Sequence, residues 1–169
     1  DGTAPFHSYM VSYQSDRRYV YARLDIPSTP MPAKGYPIII FAHGWVGQEK
    51  ALNYNFGYDL TSLVGELING YVDAGFIVIT PGYLGHGTVD GAQAEGFEMM
   101  QSWDNATYLA PTFYAIDLLN LVEGLSFLNS TDWKKWAGNK ALIPKANLSA
   151  INLSGHSQGG DVALTALAV

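Results

Sequence analysis

An α/β architecture with a mainly parallel sheet follows from three features of the sequence. Two continuous apolar runs, Ile38-Ile39-Ile40-Phe41-Ala42 and Phe76-Ile77-Val78-Ile79-Thr80, have the pattern of strands buried on both faces. Stretches with helical spacing alternate with them, as the crossovers between parallel strands require. Ahead of both, Tyr9–Tyr13 and Tyr19–Ile26, rich in Tyr and Val, read as a hairpin joined at Gln14–Arg18, which adds antiparallel strands to the sheet.

The remaining elements follow in order. Pro27–Gly35 is a Pro-rich connection, and the strand Ile38–Ala42 ends in the Gly-rich loop His43-Gly44-Trp45-Val46-Gly47. A helix is predicted over Asp59–Ala74, with Leu60, Leu63, Val64, Leu67, Ile68 and Tyr71 at helical spacing and Gly75 as its stop. The second strand closes at Pro81-Gly82, and a long Gly-containing segment runs from Tyr83 to Ala110. Thr112 is the expected N-cap of a helix reaching Leu128, with Ile116, Leu119, Val122 and Leu125 on its apolar face. Asn129–Asn147 is a polar connection carrying Trp133 and Trp136; Ala150–Ser154 is a third short, buried strand, and Val162–Val169 is helical in character. The 169 residues suit a single domain spanning 1–169.

Composition narrows the function classes. Hydrophobic residues make up 48% and charged residues 14% of the chain, which fits a compact globular enzyme and argues against disorder. The net charge of -6 and the lack of any basic cluster beyond Lys134-Lys135 disfavour nucleic acid as a partner. With no cysteine there is no disulfide, thiolate metal site or cysteine nucleophile. No apolar run reaches the roughly eighteen residues of a transmembrane helix. The chain opens at Asp1 rather than Met, the expectation for a processed or trimmed N-terminus; a secreted or periplasmic location is favoured over the cytoplasm.

The chemistry concentrates in Gly155-His156-Ser157-Gln158-Gly159-Gly160, a G-x-S-x-G pattern directly after a strand and before a helix. A serine on so sharp a turn sits in strained backbone, and its neighbours must lack side chains; Gly155 and Gly159 supply that room. Gly160 and Ala163 are expected to let the following helix approach the sheet. Ser157 is thus the candidate covalent nucleophile. Acyl transfer also needs two backbone N–H donors facing the oxyanion. One is the residue after the nucleophile, Gln158; the other is expected at the strand end Phe41-Ala42-His43-Gly44-Trp45, where Gly44 permits an unusual turn and Trp45 N–H is the candidate. His43 is read as a structural residue bonding the loop backbone in preference to a catalytic base, and Trp45 as a wall of the acyl pocket.

These residues resemble the α/β-hydrolase superfamily, closest to the branch of dienelactone-hydrolase-like esterases, polyester hydrolases and the prolyl-oligopeptidase catalytic domain. Pro37–Gly44 is similar to that branch's third strand and HG oxyanion loop, Gly75–Pro81 to its fourth strand, and Lys145–Gly160 to its fifth strand and nucleophile elbow. Two departures stand out. Gly82 occupies a position where the branch often has Asp, within Pro81-Gly82-Tyr83-Leu84-Gly85-His86-Gly87; His86 is read there as a surface histidine. The superfamily order is Ser, then Asp or Glu, then His, whereas only twelve residues follow Ser157 and none is His. Asp161 is read as an ordinary helix residue. The resemblance therefore implies the α/β-hydrolase fold incomplete at its C-terminus, with the acid, the histidine and the last strands supplied by a second chain or by a further C-terminal half.

The resulting expectation is a serine hydrolase cleaving small-molecule or polymeric carboxylic esters through an acyl-enzyme on Ser157, with the N–H groups of Gln158 and Trp45 holding the oxyanion. No cofactor or metal is implied, since His43, His86 and His156 lack the helical pairing of a zinc-protease site. The segments Tyr83–Ala110 and Asn129–Asn147 are long enough to cap the pocket, with Trp103, Tyr108, Trp133 and Trp136 as candidate lining. The alternatives are a serine peptidase of the prolyl-oligopeptidase type and a non-catalytic hydrolase-fold binding protein; the intact Gly155, Ser157, Gly159 and His43-Gly44 speak against the latter.

Overall fold

The computed structural model describes residues 6–45, 63–86, 88–89, 92–96, 98, 110–130 and 145–169. Strands β1 (Phe6–Ser15) and β2 (Arg18–Pro27) form the leading hairpin, followed by β3 (Tyr36–Ala42), helix α1 (Leu63–Asp73) and β4 (Ile77–Pro81). A two-stranded ribbon of β5 (Thr88–Val89) and β6 (Ala92–Gln93) precedes helix α2 (Ala110–Gly124), which runs into a 3-10 turn at Leu125–Asn129. Strand β7 (Ala146–Gly155) and helix α3 (Gln158–Leu167) complete the order. Residues 59–62 of the expected first helix lie outside the described residues, as do Val46 and Gly47 of the loop after β3 and most of the Asn129–Asn147 connection.

The five-stranded sheet has the order β1-β2-β4-β3-β7. β1 and β2 are antiparallel, β2 is antiparallel to β4, and β3 runs parallel to both β4 and β7. Alternation along the strands divides the interior into two layers. Ile38 and Ile40 of β3, Ala22 and Leu24 of β2 and Ile79 of β4 join Tyr114, Leu118, Val162 and Ala166 of α2 and α3 in one cluster. Ile39, Phe41 and Val78 face the other way, against Val64, Ile68 and Val72 of α1. The central strands are therefore covered on both faces, as their unbroken apolar runs require.

Several boundaries differ from the sequence expectation for identifiable reasons. The hairpin turn is only Asp16-Arg17, both at positive φ (48° and 67°), the twist that matches two antiparallel strands across a two-residue loop. Neither residue is Gly or Asn, so the sequence did not advertise it. Helix α2 begins at Ala110, which places Thr112 inside its first turn and not at its cap. Pro111 is tolerated there because the first N–H groups of a helix have no intrahelical acceptor. The buried face of α2 is Tyr114, Ala115, Asp117, Leu118 and Leu121, while Leu119 is exposed. The predicted apolar face was rotated because a buried Asp breaks the apolar period. Gly75 ends α1 as expected, at φ 89° with its N–H on Val72 O.

Asp117 ties the hairpin to the loop after β4. Its Oδ1 accepts from Ser15 Oγ (2.5 Å) and its Oδ2 from the Leu84 N–H (2.7 Å), while Asn120 Nδ2 donates to Ser15 Oγ (2.9 Å). Burial pushes its pKa up to about 6, against the opposing pull of the Ser15 and Leu84 bonds. On the far face of β2, Arg23 Nε meets Asp25 Oδ1 at 2.9 Å in a buried ion pair that Ser8 Oγ also joins.

The layers approach most closely where α3 leaves the sheet. A Cβ on Gly159 would lie 2.0 Å from Ala42 O and 2.5 Å from His43 O, whereas one on Gly160 would meet nothing nearer than Gly155 O at 4.0 Å. Gly159, and not Gly160, is the residue that lets helix and sheet touch. The outer side of the sheet also corrects the expectation of a buried third strand at Ala150–Ser154: β7 pairs only with β3 among the described residues, Asn152 is exposed and Ile151 and Leu153 are half-buried, and Leu164 and Leu167 of α3 are 68% and 71% exposed.

Two stability predictions follow from these contacts. Gly159→Ala loses about 3 kcal/mol or more in urea unfolding, because backbone must move, while Gly160→Ala stays within about 1 kcal/mol of wild type. For Asp117, a folded pKa above the unfolded value stabilises the protein fully below the ordinary carboxylate pKa and is lost as pH rises through about 6. Asp117→Asn keeps both contacts with Ser15 now accepting. Thermal melts should therefore show the variant gaining on wild type between about pH 4 and pH 6, by on the order of 2 kcal/mol.

Candidate active site

Strand β7 delivers the chain to a turn that few sequences permit. His156 N–H donates to Ala42 O (3.1 Å), Gly159 N–H to His156 O (2.9 Å) and Gly160 N–H to Ser157 O (2.8 Å). Between these bonds Ser157 is held at φ 56°, ψ −127°, a region that L-residues avoid at a cost of about 1–3 kcal/mol. A Cβ on Gly155 would stand 2.3 Å from Gly159 O, so the turn closes only with glycine at both ends.

Ser157 occupies the N-cap of α3, yet its side chain makes no capping hydrogen bond. An ordinary N-cap serine uses extended backbone, and its side-chain oxygen accepts from a backbone N–H of the first turn. Here the backbone conformation turns the hydroxyl away from the helix, and the side chain is exposed. The N–H of Gln158, first residue of α3, has no acceptor among the described residues, as expected of a helix start. The positive end of α3 thus sits beside an exposed hydroxyl.

The loop after β3 lies against this turn. A Cβ on Gly44 would be 3.2 Å from Ser157 Cβ and 3.1 Å from His156 O, a tight contact that a side chain could enter only if its neighbours shifted by a few tenths of an ångström. The structure brings together Gly44, Ser157 and the start of α3, with Trp45 63% exposed at the mouth. Asp161 is an exposed residue in the first turn of α3. Of the aromatic residues expected to line a cap, Trp103, Tyr108, Trp133 and Trp136 lie outside the described residues.

His43 is 1% exposed, and its Nδ1 donates to Gly44 O at 2.7 Å. Because a carbonyl only accepts, Nδ1 carries the proton. Burial, reinforced by neighbouring His86, lowers its pKa to about 4, so the ring is neutral at neutral pH. His86 is not the surface histidine its Gly-rich surroundings suggested. It is 2% exposed, with Nδ1 3.2 Å from Leu84 O and its pKa also lowered to about 4 by burial. Glycines at 82 and 85 fold the segment inward rather than leaving it in solvent.

What draws it inward is Tyr83, a residue the sequence reading passed over. Tyr83 sits at φ 61° and is 1% exposed; its ring stacks on Tyr114 (4.5 Å, 8°) and lies 4.3 Å from His43. His86 meets both tyrosines edge-on. The Tyr83 hydroxyl donates to His43 O at 2.9 Å. The one sequence signal was an aromatic residue directly after Pro81-Gly82, with no apolar period to mark it as core.

No protein-family model and no curated protein matches this sequence. Solved structures do share the fold. A hypothetical protein from Pseudomonas aeruginosa aligns over 99% of this chain and 40% of its own length, at 17% identity and a TM-score of 0.60. An acetyl xylan esterase from Paenibacillus sp. R4 aligns over 98% and 46%, at 18% identity and 0.57. The acylaminoacyl peptidase of Pyrococcus horikoshii aligns over 98% and 21%, at 15% identity and 0.54. This chain spans less than half the length of each of these three neighbours. With a mixed five-stranded sheet and three helices among the described residues, the chain has part of the α/β-hydrolase fold, from the leading hairpin through the elbow and its helix.

Proposed function

We propose that this chain is the nucleophile-bearing part of a serine hydrolase that cleaves carboxylic esters through an acyl-enzyme on Ser157. The observation that carries the reading is the backbone of Ser157, φ 56° and ψ −127°, locked by Gly155 and Gly159 with its hydroxyl unused by the helix it caps. Strain of this kind persists only where surrounding packing over-determines it, and it clusters at sites of chemistry. The N–H groups of Gln158 and Trp45 hold the oxyanion as Ser157 Oγ adds to the ester carbonyl; the alcohol then leaves, and water releases the acid.

Burial that lowers the His43 pKa to about 4 makes its imidazole too weak a base to hold the serine proton well, which leaves that task to a histidine outside the described residues. The open edge of β7 and the exposed Leu148, Leu164 and Leu167 support a place for further polypeptide that brings this histidine and its acid. Esters are favoured over peptides by the resemblance carried in the elbow and the HG loop. The peptidase reading stands beside it because an acylaminoacyl peptidase shares the fold at a TM-score of 0.54.

The test is turnover of p-nitrophenyl acetate and butyrate by the natural full-length product. Ser157→Ala is expected to lower kcat by about 10³-fold or more and to abolish fluorophosphonate labelling. An ester and amide pair sharing one acyl group separates esterase from peptidase. A protein that neither turns over nor labels overturns the enzyme reading in favour of a non-catalytic binding fold.

A further inference from the structure

Two peptide planes in the loop beside Ser157 are each held by one side chain. The carbonyl of Gly44 accepts from His43 Nδ1 at 2.7 Å, and the carbonyl of His43 accepts from the Tyr83 hydroxyl at 2.9 Å. A peptide group is planar and trans, so fixing its carbonyl fixes the opposite N–H. The His43 bond therefore points the Trp45 N–H away from the buried imidazole. The Tyr83 bond fixes the plane immediately before it, and with it the placement of Gly44 beside Ser157.

Tyr83 holds this position at a cost. An aromatic residue at φ 61° is an outlier, and its ring has to be retained between His43 and Tyr114 to stay there. Behind it, the next residue's N–H is tied to Asp117, so the strained turn is anchored from both sides. Ordinary core packing would be met by an aromatic ring alone; the buried hydroxyl on the His43 carbonyl is the feature that packing does not explain.

From this arrangement we infer that Tyr83 is a positioning residue for the oxyanion loop: its hydroxyl, acting through the His43 carbonyl, fixes the peptide plane adjoining the one that carries the Trp45 donor and so keeps that donor in register with Ser157. The inference rests on the serine-hydrolase reading above. Loosening a preorganised donor raises the barrier to the charged intermediate without weakening the binding of neutral substrate.

Tyr83→Phe, which keeps the ring and its stack and removes only the O–H, tests it in the natural full-length product. The expected result is a kcat for p-nitrophenyl acetate about tenfold lower at unchanged KM, with phenylboronic acid binding, which mimics the oxyanion, weakened by a similar factor. Site-specific 3,5-difluorotyrosine at position 83 is the second arm, because it retains the hydroxyl and the fold and alters only donor strength; kcat shifts there while KM does not. Wild-type kcat and boronate affinity in a folded Tyr83→Phe variant overturn the positioning role, as does an unaltered kcat with difluorotyrosine should the Phe variant fail to fold. Wild-type turnover that is absent, or that survives Ser157→Ala, overturns instead the hydrolase reading and this inference with it.

Discussion

The contact on which the rest of the site depends is backbone against backbone: Gly159 of α3 lying on the carbonyls of Ala42 and His43 at the end of β3. No side chain fits between them, so the helix starts at the one place where its first turn touches the sheet. That contact leaves only His156 and Ser157 to turn the chain from strand to helix, and Ser157 does so in a strained conformation. The strain at Ser157 is thus a consequence of layer packing. It is sustained by the buried apolar residues on both faces of β3, which hold Ala42 and His43 rigidly in place.

The same strand end is gripped from its other side. Tyr83 and the loop after β4 reach His43 through a hydrogen bond and a ring contact, and that loop is in turn tied through Leu84 and Asp117 to Ser15 at the hairpin tip. The leading hairpin is therefore more than an edge to the sheet. Its turn sets where Ser15 stands, Ser15 and Asn120 hold Asp117, and Asp117 holds the turn that carries Tyr83. Such buried polar chains are costly when half satisfied and rigid when complete. The raised pKa of Asp117 reflects this: burial disfavours its charge, and the bonds from Ser15 and the Leu84 N–H offset only part of that cost.

Where the sequence was legible, the physics was local. The apolar runs of β3 and β4 announce strands covered on both faces because each residue reports its own burial. The elbow is legible because a side chain on Gly155 would collide with Gly159, and one on Gly159 with the adjoining strand. What escaped was decided by partners far along the chain. His86 looked exposed among glycines, yet Tyr83 and Tyr114 bury it; the face of α2 was misjudged because Asp117 points inward to Ser15, which is remote in sequence. The two-residue turn at Asp16-Arg17 escaped because ordinary residues were placed at positive φ, where composition predicts Gly or Asn. Burial of β7 was overestimated for the opposite reason: apolar residues such as Ile151 and Leu153 report what a strand can bury, not what lies beside it.

Ser157 and Tyr83, two strained residues that are not glycine, thus both bear on the His43-Gly44 segment at the end of β3. On the proposed reading this divides the catalytic task. Placement of the nucleophile and of the oxyanion donors is built into the described chain by packing and by buried hydrogen bonds. Proton transfer is not, since burial leaves His43 with a pKa of about 4 and little basicity. Geometry that must be held to a fraction of an ångström is made from the most buried strands, and the mobile proton is left to groups that join at the open edge of β7. Such a division would make electrostatic stabilisation largely independent of the base: a complete protein lacking its histidine should keep its affinity for an oxyanion mimic while losing turnover, because the donors are fixed before any base arrives.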